Sequence, residues 1–120
     1  MQKVRQDGIM LNHRDKRRYV AIMYDDNGLY RPFQIHEKIV VRFKELFGIF
    51  QSELAMLKLY DSEFRNIMIV GCKLKYLDYL LVSLILTQPP LTVISLSGTL
   101  KKLRKNVSRL GVRNIKNNHG

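Results

Sequence analysis

The sequence predicts an α+β fold, a ferredoxin-like βαββαβ sandwich with an additional basic amphipathic helix at its C-terminus. Apolar residues make up 46% of the 120 residues, a share and a length that suit one domain around one core. Segments with the two-residue period of strands and the 3.6-residue period of helices follow one another in the order of that fold. Turn-forming residues separate these segments, and the sequence shows no internal repeat.

Four segments are rich in β-branched and aromatic residues and predict strands. The first is followed by Asp26-Asn27-Gly28, and the second runs into Asp61-Ser62, both of which are turn signals. The predicted strands are Arg17–Asp25, Glu53–Asp61, Arg65–Lys73 and Leu91–Ser97.

Three segments have apolar residues at helical spacing. The first begins at Pro32, which suits the first turn of a helix, and continues to Phe50 with Gly48 near its end. The second is Leu77–Ile85, and the third is Thr99–Leu110.

One uncharged stretch is long enough to test as a membrane span, since Tyr79–Leu100 holds 22 residues without a charge. Gln88-Pro89-Pro90 interrupts it and its halves have different periods, so we predict a helix, a turn and a strand, and no membrane contact.

We expect a single domain over residues 1–120, with a folded core at about 14–110 and basic, flexible ends at 1–13 and 111–120. The start of the sequence lacks the apolar region of a secretory signal, and the expected location is the cytoplasm, or the nucleus and nucleolus in a eukaryote.

The net charge of +11 lies entirely at the two ends of the chain. Residues 19–96 hold eight basic and eight acidic residues, whereas residues 1–18 carry +4 and residues 97–120 carry +7. A neutral core with basic ends favours a polyanionic partner such as a nucleic acid, although basic ends can also serve solubility alone.

The predicted topology brings the two basic ends together. In the usual strand order of this fold, 4-1-3-2 with antiparallel neighbours, the first strand begins where the third and fourth strands end. We therefore expect one basic patch that includes the following residues: Arg14, Lys16, Arg17, Arg18, Lys73 and Lys75.

The C-terminal helix completes this patch. Lys101 and Lys102 lie in its first turn, where the helix macrodipole disfavours positive charge. A phosphate bound at the free N–H groups of the helix start would offset that charge. The residues predicted to bind RNA here are Ser97, Gly98, Thr99, Lys101, Lys102, Arg104 and Lys105, and the alternative is a capping helix with a solvated basic face.

Both faces of the predicted sheet are apolar, although such a sheet needs only one apolar face against its helices. The second face is then covered by the C-terminal helix or by another chain. For the second case, the predicted protein interface is Val20, Ile22, Met23, Met68 and Val70.

Aromatic residues are scarce on the central strands. RNA-recognition domains of this topology stack bases there, but Arg65–Lys73 has no aromatic residue and the first strand has only Tyr19 and Tyr24. The sequence therefore favours phosphate contacts with structured RNA over stacking with single-stranded RNA.

No catalytic or metal-binding residues are predicted. His13, His36 and His119 have no metal-ligand spacing with each other or with the lone Cys72. Asp25 is interpreted as a turn residue, and there is no phosphate-binding Walker loop or nucleophile elbow.

Four segments together resemble a known family. The stretches "HRDKRRYVAI", "FKELFG", "YLDYLLVSLILTQ" and "ISLSGTLKKLRK" are similar to the small protein subunit of ribonuclease P/MRP in archaea and eukaryotes, in archaea ribonuclease P protein component 2. The resemblance covers about residues 12–110. The sequence departs from the family late in the third strand, where Val70-Gly71 stands in place of a frequent Ile-Arg pair.

This resemblance implies an accessory subunit of an RNA enzyme that removes the 5′ leader of precursor tRNA. It implies ribonuclease P RNA and precursor tRNA as RNA partners, and the barrel-shaped protein component 3 as protein partner, with two copies bridging two such pairs. It also implies that the RNA component carries the catalysis and the magnesium, while the protein binds no cofactor. The alternatives are a ribosomal-type structural RNA-binding protein and, ranked last, a small acylphosphatase-like enzyme.

Overall fold

The computed structural model describes residues 16–25, 27–88 and 91–111. It is a small α+β protein with one four-stranded antiparallel sheet, in the order β2-β3-β1-β4. This arrangement is compatible with the predicted ferredoxin-like fold. The elements are β1 (Arg17–Met23), α1 (Pro32–Phe47), α2 (Ile49–Ala55), β2 (Lys58–Tyr60), β3 (Ile67–Lys73), a 3₁₀ turn (Leu74–Tyr76), α3 (Leu77–Ile85), β4 (Thr92–Ser97) and α4 (Leu100–Arg109). The predicted flexible ends other than Gly111, together with Arg14 and Asp26, lie outside the described residues.

The prediction was wrong between residues 48 and 57. The first helix ends at Phe47, because Gly48 has a φ of 94°, and a second helix, α2, follows where the sequence predicted the start of a strand. Ser52 and Ala55 are buried three residues apart, which is helical spacing, and Met56 ends α2 in the left-handed conformation with a φ of 50°. Only Lys58–Tyr60 of the predicted strand Glu53–Asp61 pairs in the sheet.

The strand register decides which residues meet at each end of the sheet. All seven residues of β1 pair with β3, from Arg17 opposite Lys73 to Met23 opposite Ile67. On its other edge β1 pairs with β4, with Tyr19 opposite Ser97 and a bulge between Ala21 and Ile22. Thus β1 begins where β3 and β4 end, as the sequence predicted.

Helices α1, α2 and α3 cover one face of the sheet. Their buried residues form a core cluster with the inward residues of β1 and β3, including Ile39, Phe43 and Leu80 from the helices. Four residues of the predicted protein interface, Val20, Ile22, Met68 and Val70, belong to this cluster and are at most 1% exposed. That prediction is therefore corrected: these side chains face the chain's own helices, and only Met23, at the end of β1, is exposed, at 40%.

Helix α4 covers the other face. Leu103 and Val107 are fully buried and pack with Ala21, Ile69 and Phe64 in a second core cluster. The sequence left open whether the C-terminal helix or another chain covers this face, and in the structure the C-terminal helix covers it. Within the described residues, no helix is long and apolar enough to cross a membrane.

We predict that Leu103→Ala lowers the free energy of unfolding by roughly 2–5 kcal/mol, because it leaves a cavity between α4 and the sheet. Ser108→Ala, at an exposed position of the same helix, is the control and should change stability little. Urea unfolding followed by circular dichroism measures both variants. Equal stability of the two would contradict the packing of α4 as described.

Candidate nucleic-acid interface

Three basic segments meet at one end of the sheet. The amide of Leu74, directly after β3, donates a hydrogen bond to the carbonyl oxygen of Lys16 at 2.7 Å, which joins the end of β3 to the start of β1. The pairing of Tyr19 with Ser97 brings the end of β4 to the same place. We call this end of the sheet the basic edge. Its members are Lys16, Arg18, Lys73, Lys75, Lys101 and Lys102.

Arg18 and Gly98 are in close approach within the basic edge. The Arg18 Nη1 donates to the carbonyl oxygen of Arg17 at 2.9 Å, which fixes the guanidinium. A Cβ placed on Gly98 would lie 3.4 Å from that Nη1. Gly98 therefore leaves its backbone open beside a fixed cation, although an alanine would still fit there in ordinary contact.

The start of α4 is capped by its own side chains. Thr99 is the N-cap, and its Oγ1 accepts a hydrogen bond from the amide of Lys102 at 3.1 Å. The Ser97 Oγ accepts from the amide of Thr99 at 3.4 Å, and Ser97 is only 7% exposed. These bonds give Ser97 and Thr99 a structural role in the turn. The exposed Lys101 and Lys102 follow in a first turn that has no acidic residue.

Arg104 has a different position from the other predicted residues of α4. Its Nη2 donates to the carbonyl oxygen of Asp61 at 2.9 Å, which ties α4 to the segment after β2. Lys105, one residue further on, is exposed. The structure therefore gives Arg104 a tethering contact across the second sheet face.

Sequence reasoning missed a group of side chains around Gly71, in the middle of β3. A Cβ on Gly71 would lie 2.7 Å from Tyr60 Cε2, 3.1 Å from Tyr19 Cδ1 and 3.2 Å from Arg17 Nη2. The two rings and the guanidinium therefore occupy the space that a side chain would need. A glycine inside a strand is the sequence signal for such a close approach. We call this group, Arg17, Tyr19, Lys58, Tyr60 and Gly71, the aromatic corner.

Hydrogen bonds in the loop after β1 support the interpretation of this loop as a turn. The Asn27 Nδ2 donates to Asp25 Oδ2 at 3.1 Å, and the Asn27 Oδ1 accepts from the amide of Leu29 at 2.9 Å. Gly28 has a φ of 80°, which suits a tight turn. The polar groups of these residues bond to one another, which does not favour the anion loop of an acylphosphatase-like enzyme.

The remaining candidate groups for chemistry, His36 and Cys72, are partly or fully buried. Among the described residues, no cluster of three or more His, Cys, Asp or Glu side chains could hold a metal ion. Burial lowers the pKa of His36, against the opposing effect of Glu37, and its Nδ1 is buried without a hydrogen-bond partner. Burial also raises the pKa of Cys72 to about 11, with Arg17 opposing that rise.

We predict that Cys72 resists alkylation in the folded protein, because its thiol is buried and stays protonated at neutral pH. Incubation with iodoacetamide at about pH 7.5, followed by mass spectrometry, measures the rate. Modification should become fast only in denaturant. Rapid modification of the native protein would show that this part of the core opens readily.

Comparison with known proteins shows a likeness in fold. No protein-family model and no curated protein matches the sequence. Among solved structures, a chain of the cryo-EM structure of yeast ribonuclease MRP is similar, with a TM-score of 0.54 and 10% sequence identity over 84% of this chain and 92% of that chain. The fold resembles that of a ribonuclease MRP chain. At this level of identity the likeness concerns the fold alone.

Proposed function

We propose that this protein is an RNA-binding subunit of ribonuclease P, in which it supports the catalytic RNA that removes the 5′ leader of precursor tRNA. The observation that carries the proposal is the basic edge, where segments from both ends of the sequence meet on one end of the sheet. The fold likeness to a chain of yeast ribonuclease MRP supports it, as does the family resemblance of the segments that build the edge. The proposal also includes the finer fold assignment, namely that the α+β structure has the ferredoxin-like topology.

Phosphate is the ligand whose chemistry best suits the basic edge. Lys101 and Lys102 lie at the positive end of α4, and this placement is unfavourable for the protein alone. A phosphate at that position neutralises both ammonium groups and also gains from the dipole. Arg18, fixed beside Gly98, adds a third cation at the same end.

In this proposal the RNA component carries the chemistry, with its own magnesium ions. The protein lowers the repulsion between phosphates that the folded RNA brings together, and it binds no cofactor of its own. Precursor tRNA and ribonuclease P RNA are its RNA partners.

The proposed protein partner is the barrel-shaped component 3. Since helices cover most of both sheet faces, the proposed contact surface lies on the helical layer instead. The largest exposed apolar side chains beside the bend at Gly48 are Ile49, 69% exposed, and Phe50, 72% exposed. We assign the partner contact to these residues, and the assembly of two such pairs is part of the proposal.

The test of the proposal is purification of the tagged protein from its own cells at moderate salt. Ribonuclease P RNA and a barrel-shaped protein should co-purify with it. Recovery of ribosomal subunits instead would favour a ribosomal-type structural protein and contradict the proposal.

We predict that Lys101→Glu combined with Lys102→Glu weakens RNA assembly without weakening the fold. Two acidic residues at the start of α4 should leave stability unchanged or raise it by about 0.3–1 kcal/mol per site. In the complex they would repel the phosphate, so reconstituted cleavage of precursor tRNA should fall. Arg31→Glu combined with Lys38→Glu is the control, because it makes the same charge change at α1, on the other layer. Equal cleavage by the two double variants, or early melting of the α4 variant, would contradict the phosphate site.

We also predict a steep salt dependence of RNA affinity. For about five phosphate contacts, the slope of log K against log salt concentration should be roughly −3.5 to −4.5. Fluorescence anisotropy with ribonuclease P RNA at several salt concentrations measures it. A flat response would contradict an electrostatic interface.

A further inference from the structure

The aromatic corner lies on the second sheet face, beside the part that α4 covers. Helix α4 buries Ala21, Ile67 and Ile69, whereas Tyr19 and Tyr60 are only partly buried against the same cluster. Both rings lie directly on Gly71. Flat side chains are thus held against the sheet where β3 carries no side chain at all.

The two rings support one another in a fixed geometry. The ring centroids of Tyr19 and Tyr60 are 5.3 Å apart with an interplanar angle of 77°, an edge-to-face contact. The Lys58 Nζ lies 5.4 Å from the centroid of Tyr60, and Lys58 is exposed. A face of Tyr60 is therefore reached from solvent, because an exposed ammonium already lies over it.

Positive charge surrounds this ring. The depression at the edge of β2 is lined by three cationic residues, Arg17, Lys44 and Lys58, and one acidic residue, Glu53. Tyr19 pairs with Ser97, which directly precedes Gly98 and the start of α4, so the corner adjoins the basic edge. An anionic ligand with a flat apolar part matches both features.

The Arg17 guanidinium is held in place with unused bonding capacity. Its Nη2 donates to the carbonyl oxygen of Met56 at 3.0 Å, while its Nε is buried without a hydrogen-bond partner. An anion outside does not reach the buried Nε, but it stabilises the partly desolvated positive charge of the guanidinium. Its planar shape suits a phosphate.

We propose that the aromatic corner binds an unpaired nucleotide of the RNA partner, with the base stacked on Tyr60 and the phosphate beside Lys58 and Arg17. The ammonium of Lys58 moves off the ring to the phosphate as the base takes its place. Stacking on an aromatic side chain together with a basic groove is the usual way in which proteins bind single strands. This inference rests on the proposed function only in that the ligand is RNA, and it replaces the expectation that the protein contacts phosphates alone.

The experiment compares two RNA probes that differ in strandedness. A fluorescent unstructured oligouridine and a perfect RNA duplex with the same number of phosphates are titrated with the full chain. Tyr60→Leu keeps an apolar side chain over Gly71 but removes the ring, and Tyr60→Phe keeps the ring. Tyr30→Leu is the matched control, because Tyr30 also has a lysine over its ring, Lys38 at 4.9 Å, but packs against the helical layer.

We expect Tyr60→Leu to weaken oligouridine binding by roughly five- to hundredfold, the range for loss of one stacked base. Duplex binding by this variant should stay within about twofold of the parent, and both Tyr60→Phe and Tyr30→Leu should bind both probes like the parent. Parental affinity of Tyr60→Leu for oligouridine overturns the proposal. An equal loss for both probes also overturns it, since it would mean that Tyr60 serves only the fold.

A second measurement covers the case in which Tyr60→Leu does not fold. Photo-crosslinking of 4-thiouridine RNA to the parent protein, followed by trypsin and mass spectrometry, should modify the peptide Leu59–Arg65, in which Tyr60 is the sole tyrosine. Crosslinks confined to other peptides overturn the proposal. If the parent binds duplex but not oligouridine, this inference alone fails, whereas failure to bind either RNA refutes the proposed function as well.

Discussion

The middle of the central strand β1 is enclosed on all sides, and the other features of the molecule depend on this. It pairs with β3 along one edge and with β4 along the other, and its residues Val20, Ala21 and Ile22 are fully buried between two layers of helix. A strand that is hydrogen-bonded along both edges and buried on both faces can pair in only one register. That register sets Arg17 opposite Lys73 and Tyr19 opposite Ser97, so the start of β1 lies beside the ends of β3 and β4.

Helix α4 has two roles that follow from its amphipathic sequence. Leu103 and Val107 close the second core cluster, and Arg104 ties the helix to the segment after β2. The helix thereby covers most of the sheet face that related topologies use for RNA. It leaves two surfaces for a polyanion, namely its own basic start and the corner at Gly71 that it does not cover.

The two surfaces differ in what they can recognise. The basic edge combines lysine ammonium groups with one fixed guanidinium, and in the proposed function this set binds phosphates without regard to base or strandedness. The aromatic corner offers a ring fixed by its neighbours, which only a splayed-out base can use. Because Tyr19 of the aromatic corner pairs with Ser97, beside the start of α4, the two surfaces adjoin one another.

The sequence by itself determined most of the elements and the charge distribution. Local periods predicted three of the four helices and the central strands, because their apolar residues recur at the spacing that burial requires. The same periods failed at Gln51–Ala55, where Gly48 separates two helices and the apolar residues are too few to distinguish a short helix from a strand. Antiparallel pairing fixes which strand ends meet, so the start of β1 lies beside the ends of β3 and β4, as the predicted strand order implies.

Only the tertiary structure decided which side chains face outward and which lie together. Val20 and Val70 alternate with Ala21 and Ile69, and both sets are apolar, so the sequence could not tell which face α4 covers and which belongs to the larger core. Tyr60 and Gly71 lie on different strands, and their contact depends on the register of β2 against β3. Such contacts join residues distant in sequence, and the physical reason that they escape sequence analysis is that packing, and not local preference, selects them.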